Sequence, residues 1–168
     1  MRLIGIQRFD WSSQTEWMVE LVIKHAFPDV TSIDWLFGTD NEYLDLKHGI
    51  DLTATLVHGQ PLTAQAKVLS QTRYQTITIE CESPTDKGDW STCLAQFYIV
   101  IYASDNQTMD RWCIIDNARL ALAHDKLPWG KSKNMVSGRS AFKFLEFSEL
   151  LGNAPEAVIA YGGDWDIE

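Results

Sequence analysis

The sequence predicts an α/β (α+β) fold in which helices flank a central mixed β-sheet. Three patterns predict it: apolar residues at helical spacing before residue 26, period-two alternation through residues 49–69, and a nearly continuous apolar run over residues 94–103. The last pattern is typical of a strand that is covered on both faces. Layers of helices around one sheet are the economical way to bury all three segments.

The composition fits a single globular domain over residues 1–168. The chain has 45% hydrophobic and 22% charged residues, and its three cysteines show no CxxC spacing. An odd number of cysteines without that spacing argues against a disulfide framework and favours a reducing compartment. The sequence lacks a signal-peptide core and any run of about 20 apolar residues, so we expect a cytoplasmic protein with no membrane partner.

The charge is strongly negative but unevenly distributed. The net charge is −9, which opposes nucleic-acid binding because phosphate contacts usually dominate that affinity. From Glu146 to Glu168 there are six acids and no base. A local excess of positive charge precedes this acidic segment, so it supplies the candidate DNA contacts: Lys131, Lys133, Arg139 and Lys143.

The N-terminal part is expected to contain a strand and then a helix. Leu3 to Phe9 is apolar and strand-like. Ser13 followed by Glu16 matches a capping box, which predicts a helix from residue 13 to Ala26, before Phe27-Pro28. Residues 28–48 are interpreted as an acidic loop in which Trp35-Leu36-Phe37 is a buried anchor or a short strand.

Residues 49–69 are predicted to form a β-hairpin with one apolar and one polar face. The arms are Asp51–Val57 and Pro61–Leu69, joined by His58–Gln60. A three-residue turn centred on Gly59 would set Asp51 opposite Lys67 and Thr53 opposite Gln65. Asp51, Gln65 and Lys67 would then converge on the polar face, since directly opposed Cβ atoms are about 5 Å apart.

The remaining elements follow from alternation, apolar runs and turn residues. Strands are expected at residues 76–81, 94–103 and 111–115, and helices at residues 116–123 and near Ser148 to Leu151, separated by a basic loop at 128–140. Phe142, Phe144 and Phe147 are expected to lead into the last helix.

The polar face of the hairpin has the composition of a metal-dependent hydrolytic site. Magnesium prefers oxygen ligands and is held by one or two carboxylates with waters, carbonyls and phosphate oxygens. Asp51, the Gln65 side-chain oxygen and the Ala66 carbonyl would supply such ligands. Lys67 could position the attacking water and stabilise charge on a phosphate, which predicts phosphodiester hydrolysis.

Asp51, thirteen intervening residues and then Gln65-Ala66-Lys67 resemble the PD-(D/E)XK motif of the restriction-endonuclease-like nuclease superfamily. Here Gln replaces the second acid, and Ile50 stands where that superfamily often has Pro. The resemblance covers roughly residues 13–103. It implies a restriction-endonuclease-like fold and a DNA nuclease that uses Mg²⁺ or Mn²⁺.

The first helix adds to this resemblance. It is similar to the first helix of Holliday-junction resolvases and phage-type nucleases of that superfamily, in which an acid near the helix start points at the metal. By that likeness Glu16, or Glu20 one turn later, has a catalytic role. The family analogy also implies a phage or mobile-element protein and a possible homodimer.

Two other functions fit the sequence. The Gln at position 65 and the negative charge are compatible with a non-catalytic member of the same fold that binds DNA or protein. The acidic segment from Glu146 to Glu168 is compatible with an acidic protein that mimics DNA.

Overall fold

The computed structural model of the chain describes residues 3–42, 48–70, 72–82, 93–133 and 141–167. Three α-helices occur in these ranges: α1 (Leu3–Ala26), α2 (Asn117–Ala123) and α3 (Phe147–Asn153). Nine β-strands accompany them: β1 (Val30–Trp35), β2 (Leu52–Leu56), β3 (Pro61–Leu69), β4 (Thr76–Glu82), β5 (Phe97–Ala103), β6 (Met109–Asp116), β7 (Gly130–Lys133), β8 (Ala141–Glu146) and β9 (Val158–Gly163).

The first helix begins ten residues earlier than predicted. Residues 3–9, predicted as a strand, belong to α1, and Ser13 lies inside that helix, so Ser13 and Glu16 do not form a capping box. A short apolar run cannot be distinguished from a helical segment by periodicity alone, and no proline interrupts residues 3–26. The predicted end at Ala26 is confirmed. In the part of the chain that the structure describes, no helix is both long and apolar enough to cross a membrane.

Six strands form the main sheet in the order β1-β2-β3-β5-β6-β9. Strands β3 and β5 are parallel, and every other neighbouring pair is antiparallel, so the predicted central mixed sheet is confirmed. Strand β5 lies inside this sheet, and its residues 98–103 are buried. The continuous apolar run of this segment therefore has the cause that was expected, which is burial on both faces.

The two faces of the main sheet are covered by different elements. Helix α1 covers one face, where Met18, Val22 and Ile23 pack with Leu52 and Ile99. The other face is covered by a second sheet of order β4-β8-β7 together with α2 and α3. The core on that side contains the following side chains: Ile77, Ile79, Tyr98, Val100, Leu120, Leu145, Phe147 and Leu150.

Two segments predicted as loops contain strands. Residues 30–35 form β1, paired with β2 along the edge of the main sheet. Residues 130–133 of the predicted basic loop form β7, which pairs with β8. Neither segment shows regular apolar alternation: Val30 is followed by two polar residues, and residues 130–133 are Gly-Lys-Ser-Lys.

The acidic C-terminal segment is folded onto the main sheet. It contains α3 and β9, and β9 pairs with β6. The Asp164 carboxylate is 2.9 Å from Nε of the buried Arg111, whose Nη1 also donates to the carbonyls of Thr72 and Tyr74. One acid of this segment is therefore neutralised within the fold.

Candidate active site

Asp51 lies where β2 begins, and three hydrogen bonds fix it there. Its N–H donates to the Ala64 carbonyl and its carbonyl accepts from Leu36 N–H, both at 2.9 Å. Its carboxylate Oδ2 accepts from the Ala66 N–H at 2.7 Å. The side chain thus takes the position of the next acceptor in the β2–β3 ladder, and the carboxylate is held directly beside β3.

The predicted register of the hairpin is wrong by two residues. Thr53 lies opposite Thr63 and Leu52 opposite Ala64. The reason is the turn: the loop is Val57–Gly59, and Gly59, with φ 74°, occupies its last position and not its centre. A three-residue hairpin loop places its left-handed residue last, which forms a bulge.

The shift by two keeps every side chain on its predicted face, because side chains alternate with period two. Its effect is on which polar residues meet. The hydrogen bonds from Asp51 to Ala64 and from Ala66 to Asp51 bracket Gln65, so Asp51 lies beside Gln65. Lys67 lies two residues further along β3, on the same face as Gln65.

The Gln65 side chain is buried, with 8% of the residue exposed. A Cβ atom added at Gly49 would lie 3.3 Å from Gln65 Nε2 and 3.3 Å from Cys93 Sγ. Gly49 also has φ 60°, a conformation that favours glycine. Gly49 therefore allows the segment before Asp51 to approach the Gln65 amide closely.

Cys93 and Asn117 form the back of this site, and local sequence patterns did not identify either one. Cys93 Sγ donates to the Gly49 carbonyl at 3.5 Å. Asn117 Nδ2 donates to the Ala95 carbonyl at 2.9 Å and lies 3.8 Å from Cys93 Sγ. Gly49 and Cys93 are 44 residues apart in sequence. Their proximity depends on the parallel pairing of β3 with β5, so no short motif could indicate it.

Lys67 is half-buried on the same face of β3 as Gln65, and its neighbour on β5 is Val100. Among the described residues, no carboxylate oxygen lies within 4.0 Å of its ammonium nitrogen. Within that part of the chain the charge of Lys67 is not neutralised by an ion pair. It can therefore act on an anion that enters the site.

Tyr98 connects the site to the second sheet. It is the β5 neighbour of Gln65, and its hydroxyl donates to the Thr78 carbonyl of β4 at 2.7 Å. Burial raises the pKa of Tyr98 well above its ordinary value, and Cys113, Tyr102, Asp51 and Cys93 raise it further. Tyr98 is therefore a neutral hydrogen-bond donor at neutral pH, fixed under the polar residues of the site.

Glu16 and Glu20 lie on α1, which covers the face of the sheet opposite to Gln65 and Lys67. Glu20 accepts from Trp35 Nε1 at 3.2 Å and lies 3.8 Å from the Lys24 ammonium. Burial and the neighbouring Glu20 raise the pKa of Glu16. In the described ranges, no three His, Cys, Asp or Glu side chains are grouped closely enough to hold a metal ion. The structure thus does not bring these two acids into a metal cluster with Asp51.

Three of the four predicted basic residues lie on the second sheet. Lys131 on β7 is directly opposite Lys143 on β8, and Lys133 is opposite Ala141. Lys143 Nζ lies 3.1 Å from His124 Nε2, and the His124 ring stacks on Trp129. Arg139 lies outside the described residues.

The sequence matches no family profile and no curated protein. Among solved structures, the chain is similar to a nuclease from a fusselovirus, with a TM-score of 0.41 and 13% sequence identity. The alignment covers 87% of this chain and 85% of the viral one. A likeness at this level does not assign an activity, so the function has to be inferred from the residues of the site.

Proposed function

We propose that this protein is a metal-dependent nuclease that hydrolyses DNA phosphodiester bonds at Asp51, Gln65 and Lys67. The observation that carries the proposal is the 2.7 Å hydrogen bond from Ala66 N–H to Asp51 Oδ2. This bond fixes a carboxylate beside the strand that supplies an amide and an ammonium group on one face. A carboxylate, a neutral oxygen donor and a lysine are the groups that such hydrolysis requires.

The donor set fits a magnesium or manganese ion. Asp51 offers a carboxylate, and Gln65 offers its side-chain oxygen. The Ala66 carbonyl would be the third donor: the N–H and C=O of one residue point to the same side of a strand, and the Ala66 N–H already points to Asp51. These three oxygens match the preference of Mg²⁺ for one or two carboxylates, carbonyl groups and substrate oxygens.

One carboxylate gives this site little negative charge. We therefore expect weak affinity for the metal alone and tighter binding when a substrate phosphate completes the ligand set. When bound, the ion would polarise a phosphoryl oxygen and lower the pKa of a bound water. Asp51 and Gln65 would hold the ion, and Lys67 would hold the attacking water and stabilise charge that develops on the phosphate oxygens.

The second sheet would contact the DNA backbone. Lys143 on β8 is adjacent in the sheet to Ile79, the residue after Thr78, and the Thr78 carbonyl binds the Tyr98 hydroxyl beside Gln65. Strands β7 and β8 are thus connected to the polar site through β4 and β5. We propose that Lys131, Lys133 and Lys143 bind phosphates that flank the scissile one, with Arg139 as a further contact.

Replacement of Lys67 by Ala tests the reaction. We expect Lys67→Ala to abolish Mn²⁺-dependent cleavage of a labelled DNA while thermal unfolding stays unchanged, because Lys67 forms no ion pair with the described residues. Arg73→Ala is the matched control. It removes one positive charge from an exposed side chain whose Nη2 donates to the Tyr74 hydroxyl, and it should cleave normally. Equal cleavage by both variants would contradict the assignment.

A non-catalytic DNA-binding protein of the same fold is the second candidate. The observation that favours it is the single carboxylate of the site, since the described residues contain no group of three metal-binding side chains. Such a protein would retain DNA without turnover, and Mn²⁺ would leave both its stability and its DNA affinity unchanged. Titration of the wild-type protein with Mn²⁺, with and without DNA, separates the two functions.

A further inference from the structure

Phe37 lies at the tip of a tight turn next to the candidate active site. The Leu36 carbonyl accepts a hydrogen bond from the Thr39 N–H at 3.1 Å and another from the Thr39 hydroxyl at 2.6 Å. Gly38 has φ 73°, as the third residue of a type II turn requires. The turn presents Phe37 in its second position with 58% of the residue exposed, so of the two alternatives for Trp35-Leu36-Phe37 the buried anchor does not include Phe37.

A second exposed apolar residue lies on the other side of the same segment. Leu36 N–H donates to the Asp51 carbonyl, and Leu94 N–H donates to the His48 carbonyl at 2.7 Å. Leu94 is 65% exposed. The segment from His48 to Asp51 therefore runs between Phe37 and Leu94, and each is adjacent to a residue that is hydrogen-bonded to it.

A small buried cluster attaches the segments that carry Phe37 and Leu94 to the site. Leu36, Ile50 and Ala95 pack together, with Cys93 against them. We call Phe37 and Leu94 the apolar rim of the site. Phe37 directly follows Leu36 of this cluster, and Leu94 directly precedes Ala95. The rim is thus attached to the same core as Asp51, and its exposed side chains are held in place by rigid neighbours.

Phosphate contacts alone are a weak means of binding DNA for this chain. Its net charge is −9, and β7 and β8 together contain three lysines. Three phosphate contacts on a single strand give a slope of log K against log salt of only about −2. Contacts with bases would add the affinity that the phosphate contacts do not supply, and an exposed aromatic ring is the usual means.

We propose that the substrate is single-stranded DNA, held by stacking of a base on Phe37 while Leu94 contacts the base on the other side of the scissile phosphate. This inference rests on the proposed nuclease function and names its substrate class. In a duplex the faces of the bases are covered by their neighbours, so a rim of this kind favours unpaired strands. The polar residues between Phe37 and Leu94 would then meet the phosphate that joins the two bases.

Binding without metal tests the inference separately from cleavage. A fluorescent dT oligonucleotide and a duplex of the same length are titrated with wild-type protein in EDTA, at several salt concentrations. We expect the single strand to bind more tightly than the duplex. Phe37→Ala should weaken single-strand binding by about 5- to 150-fold, the effect of losing one stacked base, and Phe37→Trp should preserve it.

Val57→Ala is the matched control, because Val57 is 62% exposed but lies at the opposite end of the hairpin from Asp51. It should leave binding unchanged, and Leu94→Ala should weaken it less than Phe37→Ala. The inference is overturned if Phe37→Ala binds as the wild type does, if the duplex binds as tightly as the single strand, or if neither DNA binds. Cleavage with Mn²⁺ is measured in a separate assay. Single-strand binding without cleavage would contradict only the proposed function. Cleavage by a Phe37→Ala variant whose affinity is unchanged would contradict only this inference.

Discussion

The Asp51 carboxylate accepts a hydrogen bond from the Ala66 N–H at the point where the ladder between β2 and β3 would otherwise end. One carboxylate oxygen therefore completes the sheet at the Ala66 backbone, next in sequence to Gln65. The structural and the proposed catalytic roles of Asp51 can be separated, because Asn keeps the hydrogen-bond acceptor and loses the charge.

Asp51→Asn should retain most of the stability and lose the activity. Its amide oxygen can still accept from Ala66 N–H, so we expect the free energy of unfolding to fall by no more than about 1 kcal/mol. Asp51→Ala leaves that N–H without its acceptor and should cost about 1–3 kcal/mol. Urea denaturation measures both variants, and neither should cleave DNA with Mn²⁺. Full cleavage by Asp51→Asn would rule out Asp51 as a metal ligand.

Gln65→Glu should make stability depend on divalent cations. Gln65 is buried, and a carboxylate at its position beside Asp51 would lose hydration and face a like charge. We expect a lower melting temperature in EDTA and recovery on addition of Mn²⁺, since a ligand that binds only the folded state stabilises it. If Mn²⁺ leaves the melting temperature of this variant unchanged, the ion does not bind between positions 51 and 65.

Gly49→Ala and Gly59→Ala form a matched pair. Both residues have positive φ, 60° and 74°, so each substitution should cost about 1–2 kcal/mol of backbone strain. They differ in surroundings: a Cβ at Gly59 meets nothing within 4 Å, whereas at Gly49 it meets Gln65 and Cys93 at 3.3 Å. We expect equal or greater destabilisation at Gly49 and a loss of cleavage only there. Comparison of unfolding and cleavage for the two variants checks this.

The sequence was sufficient to predict which residues of the hairpin share a face, but not which of them are opposed. Period-two alternation defines the faces of Leu52, Ala54 and Ala64 without any knowledge of the turn, and all three are buried as expected. The register depends on where Gly59 falls in a three-residue loop, a single conformational choice that alternation does not determine. A loop with Gly59 at its centre would pair Asp51 with Lys67, whereas in the structure Asp51 lies beside Gln65.

Other features of the site depend on contacts that no local pattern encodes. The proximity of Gly49 to Cys93 requires β5 to lie parallel to β3, and the exposure of Phe37 requires the turn closed by Thr39. The extension of α1 to Leu3 was missed because its first residues form a short apolar run with no helical signature of their own. Metal binding, the DNA contacts and a dimer remain predictions.

Tyr98→Phe should lower the free energy of unfolding at neutral pH and should reduce the loss of stability at alkaline pH. Because the fold favours the neutral phenol, the pKa of Tyr98 is raised in the folded state, first by burial and then by neighbouring groups. In the unfolded chain a tyrosine ionises near pH 10. The stability that the neutral Tyr98 side chain contributes to the fold is therefore present below about pH 10 and is lost as pH rises towards the folded pKa. The variant lacks the ionisable group and also the hydrogen bond to the Thr78 carbonyl, which should cost about 1 kcal/mol at pH 7.

Urea unfolding of the wild type, Tyr98→Phe and Tyr161→Phe between pH 7 and 11 measures this effect. Tyr161 is the control because its side chain is exposed. The wild type and Tyr161→Phe should lose stability in parallel above about pH 10, and the curve of Tyr98→Phe should start lower and fall less steeply. Tyr102 and Cys113, whose pKa values are also raised, first by burial, should leave a residual alkaline loss in all three proteins. A curve for Tyr98→Phe parallel to the other two would show that Tyr98 does not ionise on unfolding.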